Sequence, residues 1–297
     1  MRSGSVTRRT LHRRLRTLDR DLLADIDKDV EALHQARVAT RRLREALPLV
    51  VRTAPDPEER RALLQVKKIV HGVTRVLGAV REMDVALAIV DECAARDPDL
   101  LPATTLVRRL IEQDRSARLA DMRDRLDVAR FRKASRHLAQ FAPPGPKGDG
   151  PHARLASRVA ARSRALRAAV AEAGVLYATD RLHAVRLAVK KLRYTLELAA
   201  EIDRWPARHL IVFLKHMQDV LGRIHDLDVV ARYTRLVLAQ PDLAGKARSA
   251  ADRLLETIEQ EMRERHADYL VGREGLAEAA GTARHLGVRS KRATSRP

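Results

Sequence analysis

His34-Gln35-Ala36-Arg37-Val38-Ala39-Thr40-Arg41-Arg42-Leu43-Arg44 recurs as His183-Ala184-Val185-Arg186-Leu187-Ala188-Val189-Lys190-Lys191-Leu192-Arg193, 149 residues later. Leu33, Ala36, Ala39, Leu43, Ala46, Leu47 and Val50 recur at three- and four-residue spacing, which is the period of a helix with one apolar face. With His34 at zero and 100° per residue, Arg37, Arg41 and Arg44 fall at about −60°, −20° and −80°, and Arg42 at about +80°. The cations therefore form a stripe opposite the core stripe. The second copy repeats this, with His183, Arg186, Lys190 and Arg193 on the stripe and Lys191 at its edge.

The likeness continues beyond the motif. The same offset pairs Arg9 with Arg158 and Arg13 with Arg162. Downstream, Val76-Leu77-Gly78-Ala79-Val80-Arg81-Glu82-Met83-Asp84-Val85 matches Val220-Leu221-Gly222-Arg223-Ile224-His225-Asp226-Leu227-Asp228-Val229 at an offset of 144. Three segments in the same order imply an internal duplication. Helical periodicity dominates and alternating strand runs are missing, so the fold class is all-α. The expected architecture is two pseudo-symmetric antiparallel helical bundles of four-helix type.

Punctuation divides the chain. Residues 142–151 hold three glycines and four prolines and predict a linker. The halves are then 5–141 and 152–285, forming one domain over 5–285. Residues 286–297 read as a disordered basic tail. Asp56 is placed to cap a helix opening on Pro57. Other breaks are expected at Asp97-Pro98, Trp205-Pro206 and Pro241-Asp242. Asp29, and Thr179 or Asp180, are the expected caps of the two motif helices. Pro48, where the second copy has Glu197, is expected to kink or end the first of them.

The 297 residues include 58 Lys and Arg against 39 Asp and Glu, a formal net charge of +19. That imbalance points to a polyanion. Aromatic residues are 3% of the chain, too few for the stacking that holds single-stranded nucleic acid. A partner with charge and no bases fits better. Cys93 is the lone cysteine, which excludes an internal disulfide and a thiolate zinc cluster. With no secretory signal and no apolar span, a cytoplasmic protein is expected.

A solvated helix face normally mixes signs, because opposite charges one turn apart stabilise it. Acids are absent from Gln35 to Arg44 and from Arg181 to Leu196. Like charges at that spacing repel unless an anion lies between them. His34, Arg37, Arg41, Arg42, Arg44, His183, Arg186, Lys190, Lys191 and Arg193 are therefore the anion-contact candidates. Arg9, Arg13, His71, Arg158, Arg162 and Lys215 are secondary ones. The histidines suit anion contact better than acid–base work, since no carboxylate or nucleophile shares the stripe. His225-Asp226-Leu227-Asp228 is expected to close one helix and cap the next rather than hold a metal. No phosphate-cradling loop or nucleophile–base pair is present, so no enzyme, cofactor or metal is expected.

The doubled His-x-x-Arg motif, with the Leu-Gly segments at 77–85 and 221–229, resembles the CHAD family, the conserved histidine α-helical domain. The resemblance covers residues 5–285. It implies two four-helix bundles about a basic central cavity, binding of inorganic polyphosphate, and association with polyphosphate granules. Sulfate or phosphate would suit the same cavity. It also assigns the ten motif residues as anion contacts. The Glu-x-Glu-x-Lys strand of the triphosphatase domain found in some relatives is absent. Two other readings stay open: a nucleic-acid binder, and a scaffold that recruits acidic or phosphorylated partners. No membrane partner is expected.

Overall fold

A computed structural model describes residues 3–24, 26–52, 54, 56–141, 150–243 and 245–294. Among these residues the chain is helical and has no strand. The first half comprises α1 (Ser3–Asp21), α2 (Val30–Val51), α3 (Pro57–Arg96), a 3-10 turn (Pro98–Leu100), α4 (Leu101–Arg125) and α5 (Val128–Ala139). The second comprises α6 (Gly150–Ala173), α7 (Thr179–Asp203), α8 (Arg208–Leu238) and α9 (Gly245–Thr294). The element order repeats. α1, α2 and α3 answer to α6, α7 and α8, and the α4–α5 pair answers to the single long α9. Asp127 makes the difference, since its side chain accepts from the Arg130 N–H and caps a new helix.

Local chemistry explains most boundaries. Asp29 caps α2 through the Glu31 N–H, and Asp56 caps α3 through the Glu58 N–H with Pro57 in the first turn. α7 departs from expectation. It begins at Thr179, its N-cap is Ala178, and no side chain caps it. α2 continues through Pro48 for three residues and ends at Val51, whereas α7 runs on to Asp203. Leu49, Val50 and Val51 are all buried, and that packing holds the last turn in place.

Three other expectations are corrected. The His225–Asp228 segment lies inside α8 and neither ends nor caps a helix. It contains no Gly or Pro, and the buried Leu227, Val229 and Val230 anchor the helix through it. The basic tail is helical to Thr294 as the last turns of α9. Arg, Lys and Ala are good helix formers, and elongation adds a hydrogen bond per residue. Residues 295–297 lie outside the described residues. So do 142–149 of the linker, while Gly150 and Pro151 already belong to the first turn of α6, where proline is tolerated.

The apolar core is not divided along the sequence halves. One cluster joins α1, α2, α5, α6 and α7 to Ala62–Val80 of α3, Leu214–Ile224 of α8 and Tyr269–Ala283 of α9. The other joins Met83–Cys93 of α3, Ala103–Ile111 of α4, Leu227–Val237 of α8 and Ala250–Met262 of α9. Both clusters draw on both halves, so the halves fold as one unit. The long helices α3 and α8 belong to both clusters. Where they pass from one cluster to the other, around residues 82 and 226, a polar cavity opens.

Candidate anion site

The cavity has a volume of about 780 Å³ and is walled by α2, α3, α7 and α8, with Arg118 reaching in from α4. Nine Arg or Lys side chains line it against three carboxylates, with four histidines. Eight of the ten motif residues are here: His34, Arg37, Arg41, Arg44, His183, Arg186, Lys190 and Lys191. The stripes of the two copies thus share one cavity. They meet directly where the Arg41 guanidinium donates to the Tyr194 hydroxyl at 3.2 Å.

A glycine on the neighbouring helix lies beside each inner arginine, and at Arg37 it makes room for the side chain. A Cβ on Gly78 would lie 3.0 Å from a terminal nitrogen of Arg37, and one on Gly222 would lie 3.9 Å from Nε of Arg186. Gly78 and Gly222 are repeat counterparts, as are Arg37 and Arg186. The duplication therefore preserved an arginine and the glycine beside it, with the tighter fit in the first copy.

The inner cations are crowded and desolvated. Burial, then Arg41 and Arg186, pushes the Arg37 guanidinium down to about 9. Burial, then Arg41, Arg186, Arg37 and Arg44, pushes the Lys190 ammonium down to about 6. Arg186 is lowered by burial, against a partial rescue from Asp226, whose Oδ1 lies 3.9 Å away. Neither Arg37 nor Lys190 has a side-chain hydrogen bond or ion pair among the described residues. Nε of Arg186 and Nδ1 of His34 are buried without a hydrogen-bond partner. His34 is lowered by burial and then by Arg81, and His183 by burial and then by His225 and Arg186. Like charge, poor solvation and unmatched donors converge on one space, where an oxyanion would satisfy them.

Two of the three carboxylates, Glu82 and Asp226, come from α3 and α8. Glu82 accepts from Arg118 at 2.8 Å and lies 3.5 Å from Nε2 of His225. The hydrogen bond to His225, then that to Arg118, holds its carboxyl down to about 2. The rings of His225 and His183 lie 5.0 Å apart. Glu45 faces the other way, pairing with Arg158 at 2.5 Å and accepting from the Thr195 hydroxyl.

Several expected residues fall outside. Arg42 lines a separate groove between α1, α2 and α7. There its carbonyl accepts from Arg14. Arg193 turns back to Glu197 one helical turn on, and donates through Nε to Gln218 at 3.1 Å. Among the secondary candidates only His71 lines the cavity. Arg13 pairs with Glu201. Arg158 is held by Glu45, and Arg162 lies near the same carboxylate. Arg9 and Lys215 are exposed and do not line it.

Other residues also line the cavity. Arg75, Gly78, Glu82 and Val85 follow His71 along one face of α3. Their spacing of four, seven, eleven and fourteen residues is a helical signal present in the sequence. Arg118 carries no such signal, because it comes from a helix outside the repeated segments.

A family model described as the CHAD domain matches residues 9–235. Among solved structures, the CHAD domain from the plant Ricinus communis is similar at 25% identity with a TM-score of 0.66, covering 93% of this chain and 92% of that one. PptA from Streptomyces chartreusis is similar in fold at 18% identity with a TM-score of 0.63, covering 97% and 100%. Among curated proteins nothing matches the chain.

Proposed function

The chain belongs to the CHAD domain family, and from that premise we propose that its central cavity binds inorganic polyphosphate. The observation that carries the reading is the state of Arg37 and Lys190. Both are held in a cavity rich in like charge, and among the described residues no carboxylate is paired to either. A flexible chain of phosphates relieves that repulsion from both walls, with arginine supplying planar multi-donor contacts and lysine a point charge.

The family is one associated with polyphosphate binding, which supports the same assignment. The lining argues against nucleic acid, since Tyr194 is its single Phe, Tyr or Trp and bases would find no stacking platform. The role proposed is binding rather than catalysis, and the polyphosphate granule is its proposed location.

Titration of the protein with long-chain polyphosphate at several salt concentrations is the test. By analogy with single strands, neutralising about six phosphates gives a log–log slope near −4, so a fourfold rise in salt weakens binding by about a few hundredfold. Nucleic acid at equal phosphate concentration should fail to displace the polymer. Displacement by nucleic acid, or binding indifferent to salt, would remove the proposal.

A further inference from the structure

We infer that the molecule carries a second anion site away from the central cavity, a groove between α1 and α5 that takes a short run of linked phosphates. None of its residues lines the central cavity, so it stands or falls apart from the polyphosphate reading above.

The groove has a volume of about 440 Å³. His12, Arg16 and Asp19 line it from α1, and Arg132, Ser135 and Arg136 from α5. Spacings of three and four residues set each trio on one helix face. The buried Leu15, Phe131, Ala134 and Leu138 hold the two helices in the same core. More than half as large as the central cavity, the groove has room for more than one phosphate.

Its charges do not cancel. Three arginines meet one carboxylate, and Asp19 already accepts from Nε of Arg132 at 2.7 Å. Among the described residues Arg16, Arg136, His12 and the Ser135 hydroxyl have no side-chain hydrogen bond or ion pair. Exposed arginines elsewhere reach carboxylates on other segments, as Arg123 does at Asp27, Arg235 at Glu259 and Arg253 at Asp97. α5 offers no such partner, since it carries Arg130, Arg132, Lys133 and Arg136 and no acid. Burial, then Arg16 and Arg8, pushes the His12 imidazole down. Phosphate oxygens between the two helices would accept from both free guanidiniums, from the hydroxyl and from the ring.

The groove is no part of the internal repeat. On α6 the counterparts of His12, Arg16 and Asp19 are Ala161, Ala165 and Ala168. α5 itself exists because Asp127 starts a new helix, where the second half runs on as the single α9. These polar side chains therefore belong to the first half alone, at the point where the two halves depart from each other.

The probe is tripolyphosphate, titrated by calorimetry into the full chain carrying Lys190→Glu, which disables the central cavity. One site should remain. Arg16→Gln with Arg136→Gln should weaken it by about tenfold or more. Arg130→Gln with Lys133→Gln removes as much charge from α5 outside the groove, and should weaken it by less than about twofold. All four of these side chains are exposed, so melting temperatures should stay at the parent value. A dicarbonyl reagent then maps the site directly: tripolyphosphate should shield Arg16 and Arg136 and leave Arg130 reactive.

Long-chain polyphosphate given to the Arg16, Arg136 variant with Lys190 intact identifies the source of the phosphates. Weaker binding of the long chain means that its segments fill the groove. A loss confined to tripolyphosphate means that free oligophosphate does. Lys190→Glu protein that binds no tripolyphosphate, or responds alike to both pairs of substitutions, overturns the groove and leaves the central cavity untouched. Wild-type protein that binds through the groove alone overturns the central reading and upholds this one.

Discussion

Arg44 and Arg193 occupy the same position in two copies of one motif, on the same face of equivalent helices, and they do different things. Arg44 opens into the cavity, while Arg193 is drawn to Glu197 and Gln218. Arg37 and Arg186, in the same copies, both stay in the cavity, each beside a glycine. Duplication thus preserved the interior of the site, where a side chain has one place to go. It allowed the flanks to diverge, where a neighbouring carboxylate or amide captures a flexible arginine. Periodicity assigns a side chain to a face; its neighbours decide whether it remains available.

The inner ring gives the largest contrast with the flanks. Lys190→Glu should lower polyphosphate affinity by about a hundredfold or more, because it sets a carboxylate where a cation would meet phosphate, among Arg37, Arg41 and Arg186. The same change relieves repulsion in the free protein, so its melting temperature should hold or rise. A fall in both affinity and melting temperature would show that Lys190 supports the fold instead. This variant separates the inner ring from the expendable Arg193.

Acidity reports on the same lysine. Free of ligand, Lys190 holds its proton only below about pH 6. Against phosphate it is cationic, so binding above that pH takes up a proton, and affinity falls as pH rises. One proton corresponds to about tenfold per pH unit. His34 and His183, also lowered, act in the same direction at lower pH. Glu82, down at about 2, stays ionised and adds nothing to this trend. Lys190→Arg, which remains charged, should flatten the profile between pH 6 and 8. A wild-type profile already flat there would break this part of the comparison.

The glycine pair gives a smaller effect. Gly222→Ala meets ordinary contact at 3.9 Å and should raise stability by about 0.5–1 kcal/mol, leaving binding unchanged. Gly78→Ala places a methyl 3.0 Å from the Arg37 guanidinium and shifts it, weakening binding by about threefold to tenfold. Calorimetry with a binding titration on both variants checks the pair, and equal behaviour would show that the two arginines are not constrained differently.

The smallest contrast lies at the helix starts. Asp29→Ala removes the cap of α2 and should cost about 1 kcal/mol. Ala178→Asp supplies the cap that α7 lacks, at an extended residue suited to it, and should add about 0.5 kcal/mol. Denaturant midpoints of the two variants measure both.

Helical class, duplication and most of the cavity lining follow from local patterns of residues. Helical period is a local property. A cation opposite an apolar stripe must face away from its own core, so the spacing of His34, Arg37 and Arg41 was enough to mark them. The same reasoning extends to the cap at Asp56, which acts on the N–H of Glu58 two residues on. Long-range contacts set the rest. They brought Arg118 in from α4 and set Glu82 against His225 across the two halves. They bound Arg158 to Glu45, 113 residues away, and so withdrew that arginine from the site. They also joined the two halves through shared cores. The physical reason is that a long cationic side chain samples many positions of similar energy, and the nearest carboxylate selects among them. Which carboxylate is nearest depends on how helices distant in sequence cross.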